Sequence, residues 1–209
     1  MSKPTAEWEA AARGLAKKAT KDKSLLDQLL QGILSKQDKT RYTSFKALMY
    51  IADERPGLLY GHWDYFAQLI DSENTHSKCI ASYLIASLAV IDRDGKFERM
   101  FDKYYGMLND KSIIPAAHAV ANSGKIAKAR PGLEPKITDK LLSIDTTHHK
   151  PHYRELIKSH AIDAFNEYFE QAKEKQRILE FVRKQLDSKS PKTGEKAKEF
   201  LKKWADREG

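Results

Sequence analysis

The chain has 209 residues, of which 41% are hydrophobic and 32% are charged, so it is long enough to bury a sizeable apolar core. Its single cysteine, Cys79, excludes a disulfide framework within the chain and a cysteine-based metal cluster. Residues 1–19 have no apolar signal core, and the longest apolar stretch, residues 83–91, is too short to cross a bilayer. These features favour a soluble, cytoplasmic protein that does not associate with membranes.

The charge is strongly basic, with a formal net charge of +8 at pH 7. The excess is uneven, because residues 105–209 carry 21 Lys+Arg against 15 Asp+Glu. A basic surface favours acidic partners, which include acidic proteins, nucleic acids and anionic membrane surfaces. The charge therefore indicates a class of partner without identifying one.

Apolar residues recur at helical spacing along nearly the whole chain, as in Leu26, Leu29, Leu30 and Ile33. No alternating pattern of a β-strand competes with this period. Capping and helix-breaking residues divide the sequence into roughly eleven helices. The fold class is therefore predicted to be all-α.

The predicted elements begin with a helix over residues 4–20, in which Trp8, Ala12, Leu15 and Ala19 share one face. Five segments with the order apolar helix, polar turn, second helix follow between residues 24 and 205. Each turn closely follows a leucine or isoleucine, and these marker residues are Leu34, Ile70, Leu108, Leu142 and Leu186. Their intervals of 36, 38, 34 and 44 residues are typical of two-helix repeats. The helix over residues 4–20 is then an N-terminal cap.

Residues 38–52, DKTRYTSFKALMYIA, resemble the HEAT-repeat pattern of a turn aspartate, a basic residue and an Ala-Leu pair, here Asp38, Arg41, Ala47 and Leu48. The resemblance to HEAT/armadillo-like proteins implies a right-handed α-solenoid of about five two-helix repeats, forming a single domain over residues 1–209. An irregular helical bundle is the alternative, because antiparallel helix pairs also reuse caps and leucines.

The resemblance also implies that the second helices line a concave face whose exposed residues contact a partner. The candidate contact residues on this face are Arg41, Tyr42, Lys46, His76, Lys78, Tyr83, His118, Lys158 and His160. Helical spacing predicts that Arg41, Tyr42 and Lys46 share one side of their helix. Cations beside an aromatic ring suit an acidic peptide or a phosphate backbone, and the alternative is a solvated face with ordinary tyrosine packing.

Histidines are concentrated in the sequence His148-His149-Lys150-Pro151-His152, with His160 two turns further on. Pro151 suits the first turn of a helix, which leaves His148 and His149 in the preceding loop and disrupts a simple metal-binding pair with His152. We therefore predict no metal site. An anion-binding or pH-responsive surface and an exposed loop without a special role are the open alternatives.

The sequence contains no nucleophile elbow, phosphate-binding loop, dinucleotide fingerprint or zincin motif, so a non-enzymatic protein without a cofactor is predicted. Trp63-Asp64 is superficially similar to the aromatic and aspartate residues of helical-repeat DNA alkylation-repair glycosylases, but the dipeptide falls on a first helix. We expect a binding module or adaptor for an acidic protein partner. A nucleic-acid-binding protein is the alternative, and a glycosylase is less favoured.

Overall fold

The computed structural model describes residues 5–204. The predicted start of the capping helix at residue 4 and the predicted end of the repeats at residue 205 both lie just outside this range. Residues 5–204 contain thirteen α-helices and no β-strand. No helix among them is long and apolar enough to cross a membrane.

The helices in chain order are α1 (Ala6–Ala19), α2 (Lys23–Gly32), α3 (Asp38–Glu54), α4 (Gly57–Tyr60), α5 (Trp63–Leu69), α6 (Thr75–Leu88), α7 (Lys96–Arg99), α8 (Phe101–Gly106), α9 (Ile113–Ala129), α10 (Glu134–Leu142), α11 (Pro151–Tyr168), α12 (Lys175–Arg183) and α13 (Pro191–Trp204). The number exceeds the predicted eleven because α4 and α7 are helices of four residues that precede α5 and α8. A period of 3.6 residues gives little signal over a single turn.

Local sequence chemistry explains where the longer helices begin and end. The side chains of Asp22, Asn74 and Ser112 accept hydrogen bonds from backbone N–H groups in the first turns of α2, α6 and α9. Helices α3 and α9 end at Glu54 and Ala129, two residues before Pro56 and Pro131, because proline disfavours a helical conformation in the residue before it.

Two compact units divide the chain, Met1–Phe97 and Glu98–Gly209. In the N-terminal unit, α3 packs against α1, α2 and α6, and α5 packs against α6. The interior of this unit is apolar and includes Leu48, Trp63, Phe66 and Leu84, all of which are buried. Burial of these large side chains is the main favourable contribution to its folding.

In the C-terminal unit, α11 packs against both α9 and α13, and α10 contacts α9, α11 and α12. Its core contains the buried aromatic side chains of Tyr104, Phe165 and Tyr168. A polar network lies inside this core, where the Thr138 hydroxyl donates to Glu134 Oε1 at 2.7 Å and lies 2.8 Å from the Tyr168 hydroxyl. The buried hydroxyl groups of Thr138 and Tyr168 therefore both have a hydrogen-bonding partner.

The helix pairs follow the predicted order. Pairs α2–α3 and α5–α6 lie in the N-terminal unit, and α8–α9, α10–α11 and α12–α13 lie in the C-terminal unit. The second helix of the fourth pair, α11, continues without a break over 18 residues. We call α3, α6, α9, α11 and α13 the second helices.

Candidate functional site

On the second helix α3, two of the predicted contact residues meet a carboxylate from the capping helix. The Tyr42 hydroxyl donates to Glu9 Oε2 at 2.9 Å, and Lys46 Nζ lies 3.6 Å from Glu9 Oε1. The Tyr50 hydroxyl also donates to this carboxylate, and the Arg13 guanidinium lies 4.4 Å from the centroid of the Tyr50 ring. The cluster ties α1 to α3.

The electrostatics of this cluster follow from its hydrogen bonds. The Tyr50 hydroxyl is the main cause that holds the pKa of Glu9 below its usual value, and the Tyr42 hydroxyl and Lys46 act in the same direction. Burial and the Glu9 carboxylate raise the pKa of Tyr42 to about 12. Glu9 lies in the predicted cap, and sequence reasoning did not identify it because its partners are 33 and 41 residues away.

Arg41 contacts the turn before α3, whereas Tyr42 and Lys46 contact Glu9 of α1. Its guanidinium donates to the Ser35 carbonyl at 2.9 Å and pairs with the Asp38 carboxylate. Arg41 thus fastens the turn before α3, a role that the helical wheel alone does not reveal.

The three candidates on α6 occupy different environments. His76 is exposed in the first turn, whereas Lys78 is half-buried. Tyr83 is also half-buried, and its ring packs against Phe45 with centroids 5.7 Å apart. Burial raises the pKa of the Tyr83 hydroxyl. Tyr83 therefore contributes to the packing between α3 and α6 as well as to the surface.

Lys158 was expected among the exposed contact residues, but it is buried, with 6% of its surface exposed. Its ammonium lies 2.8 Å from Asp145 Oδ1 and 3.0 Å from Glu155 Oε1. A cation this deeply buried is stable because carboxylates compensate its charge. Lys158 therefore helps to hold the turn before α11 and is not the exposed residue that was predicted.

His118 on α9 lies close enough to His160 on α11 to lower the pKa of the His160 imidazole. Both are half-buried, and burial lowers the pKa of each imidazole. The positive charges of Lys196 and Lys192 on α13 lower the pKa of His160 further, whereas Asp163 opposes them. The second helices α9, α11 and α13 thus all contribute charged or titratable groups to the surroundings of His160.

Two aliphatic residues beside the histidines were missed in the sequence. Ile114 is 49% exposed and Leu156 is 41% exposed, although each lies in a helix whose other large apolar residues are mostly buried. Both precede a histidine by four residues, so Ile114 lies on the same side of α9 as His118, and Leu156 on the same side of α11 as His160. This repeated apolar-xxx-histidine spacing is the signal that could have identified them.

The histidine-rich loop does not form a convergent site. His149 is buried, and its Nε2 lies 2.9 Å from the Leu108 carbonyl oxygen, whereas the exposed His152 ring stacks on Tyr153. Within residues 5–204, no group of three or more His, Cys, Asp or Glu side chains is arranged to hold a metal ion.

Trp63 and Asp64 point into different environments. The Trp63 side chain is buried in the core and packs edge-on against Tyr60, whereas the Asp64 side chain is 84% exposed and lies 3.9 Å from Lys96 Nζ. The two side chains therefore do not form the aromatic and carboxylate pair that the dipeptide suggested.

Comparison with known proteins gives structural neighbours only. No family model matches the sequence, and no curated protein matches it. A designed armadillo repeat protein shares 16% identity with this chain, with a TM-score of 0.52 over 96% of this chain and 94% of that one. This chain has an armadillo-like helical repeat fold. The predicted all-α repeat class is therefore confirmed, while an identity this low shows the fold alone.

A second designed armadillo repeat protein, solved in complex with the peptide (KR)4, shares 15% identity and has a TM-score of 0.49 over 93% of this chain and 91% of that one. Its likeness is weaker than that of the first designed protein.

Proposed function

We propose that this protein is a non-enzymatic binding module that holds an acidic protein segment on its second helices. The observation that carries the proposal is the set of exposed or half-exposed cationic and imidazole side chains on the second helices of each unit, together with the net charge of +8. They include Lys46, Lys78, His118, His160 and Lys192. Helical repeat proteins bind through extended surfaces of this kind.

A selection from a displayed library of random 12-residue peptides tests the proposal. The folded protein is the bait, and an unrelated basic protein of similar net charge is the control. We expect enrichment of peptides with net negative charge that bind this chain at physiological salt more tightly than they bind the control. Failure to enrich any peptide specific for this chain would contradict the proposed function.

Binding to nucleic acid is the second candidate, and the same charge favours it. It predicts affinity for fluorescent single-stranded or duplex oligonucleotides that falls steeply as salt rises, because phosphate contacts release counterions. The titration is made at low and at physiological salt with the same basic control. If this chain binds oligonucleotides much more tightly than the control protein does, and if no peptide is enriched, nucleic-acid binding would replace peptide binding as the proposed function.

The contribution of the N-terminal unit is tested by replacing Lys46 and Lys78 together with alanine. The matched control replaces Lys21 and Lys23, which are exposed at the turn before α2 and in its first position. We leave Arg41 unchanged, since its contacts hold the turn at Ser35. If the N-terminal unit takes part, the first pair weakens peptide binding and the control pair does not.

A further inference from the structure

The second helices α9 and α11 of the C-terminal unit approach each other closely and run in the same direction. A Cβ atom added to Gly124 on α9 would lie 2.8 Å from the Ala164 carbonyl oxygen on α11. His118, about one to two turns earlier on α9, lies close enough to His160 on α11 to lower the pKa of that imidazole. The close approach at Gly124 and this proximity of the histidines follow the same order along both helices, which indicates a parallel register.

This register places Ile114 opposite Leu156, because each precedes its histidine by four residues. The first turn of α13 lies beside the same part of α11, since the Thr193 hydroxyl donates to the Glu155 carbonyl at 2.8 Å. Lys192, the residue before Thr193, is exposed and lies close enough to His160 to lower the pKa of its imidazole. We call Ile114, His118, Leu156, His160 and Lys192 the Ile–His face.

We infer that the Ile–His face binds an acidic peptide segment, seating a large apolar side chain on its aliphatic pair and a carboxylate beside Lys192 and its histidine pair. The inference rests on the proposed function and specifies its site and its ligand. Charge complementarity favours a carboxylate here, because the cationic side chain of Lys192 is exposed in the first turn of α13.

The aliphatic pair favours a peptide over a nucleic acid. Proteins that bind single strands stack bases on aromatic rings, and duplex binders contact phosphates, so exposed isoleucine and leucine side chains add little to either. A peptide gains affinity by burying apolar surface against them. The exposed fractions of 49% and 41% leave much of both side chains accessible.

Binding to this face is coupled to protonation. His118 from α9, Lys192 and Lys196 from α13, and Asp163 from α11 itself all influence His160. A bound carboxylate adds negative charge beside the imidazoles and raises their pKa, so the complex takes up protons when it forms. Affinity therefore increases as the pH falls from 8 to 6, a range in which peptide carboxylates stay ionised.

The experiment measures binding of the selected peptides, labelled with fluorescein, to the intact chain and its variants. Leu156→Ser and Lys192→Glu should each weaken binding about tenfold, the first by removing apolar contact and the second by reversing a charge. Leu186→Ser and Lys198→Glu are the matched controls, since they make the same changes at other exposed positions. The controls should bind as the wild type does, and circular dichroism checks that every variant is folded.

Four results would overturn the inference. Peptides that bind all four variants equally well, or that lose affinity only when Lys46 and Lys78 are replaced, would leave the proposed function standing and place its site elsewhere. An oligonucleotide whose binding falls with Lys192→Glu but not with Leu156→Ser would identify a phosphate-binding surface. Selected peptides that lack either acidic or large apolar residues would also contradict the proposed ligand.

The protonation step has its own measurement. Isothermal titration at pH 6.5 in buffers of different ionisation enthalpy should show net proton uptake when the peptide binds wild type. The uptake should decrease in His160→Gln, while Leu186→Ser keeps it. Binding that releases no proton and takes up none, with equal affinity at pH 6 and pH 8, would refute a carboxylate beside the histidines.

Discussion

Replacing Gly124 with alanine should destabilise the protein, although alanine is the better helix former. In an exposed helical position this change stabilises by about 1 kcal/mol. At Gly124 the new Cβ would lie 2.8 Å from the backbone carbonyl oxygen of Ala164, a separation at which one helix has to shift. Overpacking of this kind costs about 1–3 kcal/mol, because the oxygen cannot rotate away as a flexible side chain would.

Gly14→Ala is the matched control, because Gly14 lies in α1 with no atom within 4 Å of the position of its added Cβ. Urea unfolding followed by circular dichroism gives the free energy of unfolding for both variants. The difference between them isolates the steric term, so we expect Gly124→Ala to be less stable than Gly14→Ala by about 1–3 kcal/mol. Equal stabilities within about 0.5 kcal/mol would refute the close approach of α9 and α11.

Two further predictions concern polar groups in the core and the cap. Thr138→Val removes the hydroxyl that bonds Glu134 and Tyr168, so urea unfolding should show a free energy of unfolding lower by about 1–3 kcal/mol. Thr138→Ser keeps the hydroxyl and should retain most of the wild-type stability. The Tyr50 hydroxyl lowers the pKa of Glu9 in the folded protein. The stability that ionised Glu9 contributes is therefore fully present above the pKa of Glu9 in the unfolded chain, and it is lost as the pH falls through the pKa of Glu9 in the folded protein. Thermal unfolding between pH 6 and pH 3 should therefore show a smaller loss of stability for Glu9→Gln than for wild type, and identical profiles would contradict it.

The repeat architecture could be predicted because its signals are local. Caps such as Asp22 and Asn74, and the leucine or isoleucine before each turn, act within a few residues of the boundary they mark. The one-turn helices α4 and α7 could not be found in this way. The single domain over residues 1–209 stays a prediction.

The candidate site was harder to predict because orientation depends on neighbours that are distant in the sequence. Lys158 and His160 are two residues apart, yet one is buried against Asp145 and the other faces His118. Apart from its spacing to His118, Ile114 resembles a core isoleucine in the sequence, and the packing of α9 decides which side of the helix stays exposed. The residue type indicates the chemistry of a side chain, whereas the packing of the helices decides which side chains lie close together.

The burial of Lys158 also makes the chain suitable for chemical footprinting. An amine-reactive reagent modifies accessible neutral amines, and the Lys158 ammonium is enclosed and paired with two carboxylates. It should therefore react slowly in the native protein, whereas Lys192 is exposed and should react early. Mass spectrometry of briefly labelled protein would then use Lys158 as an internal reporter of intact folding while protection at Lys192 reports occupancy of the surface.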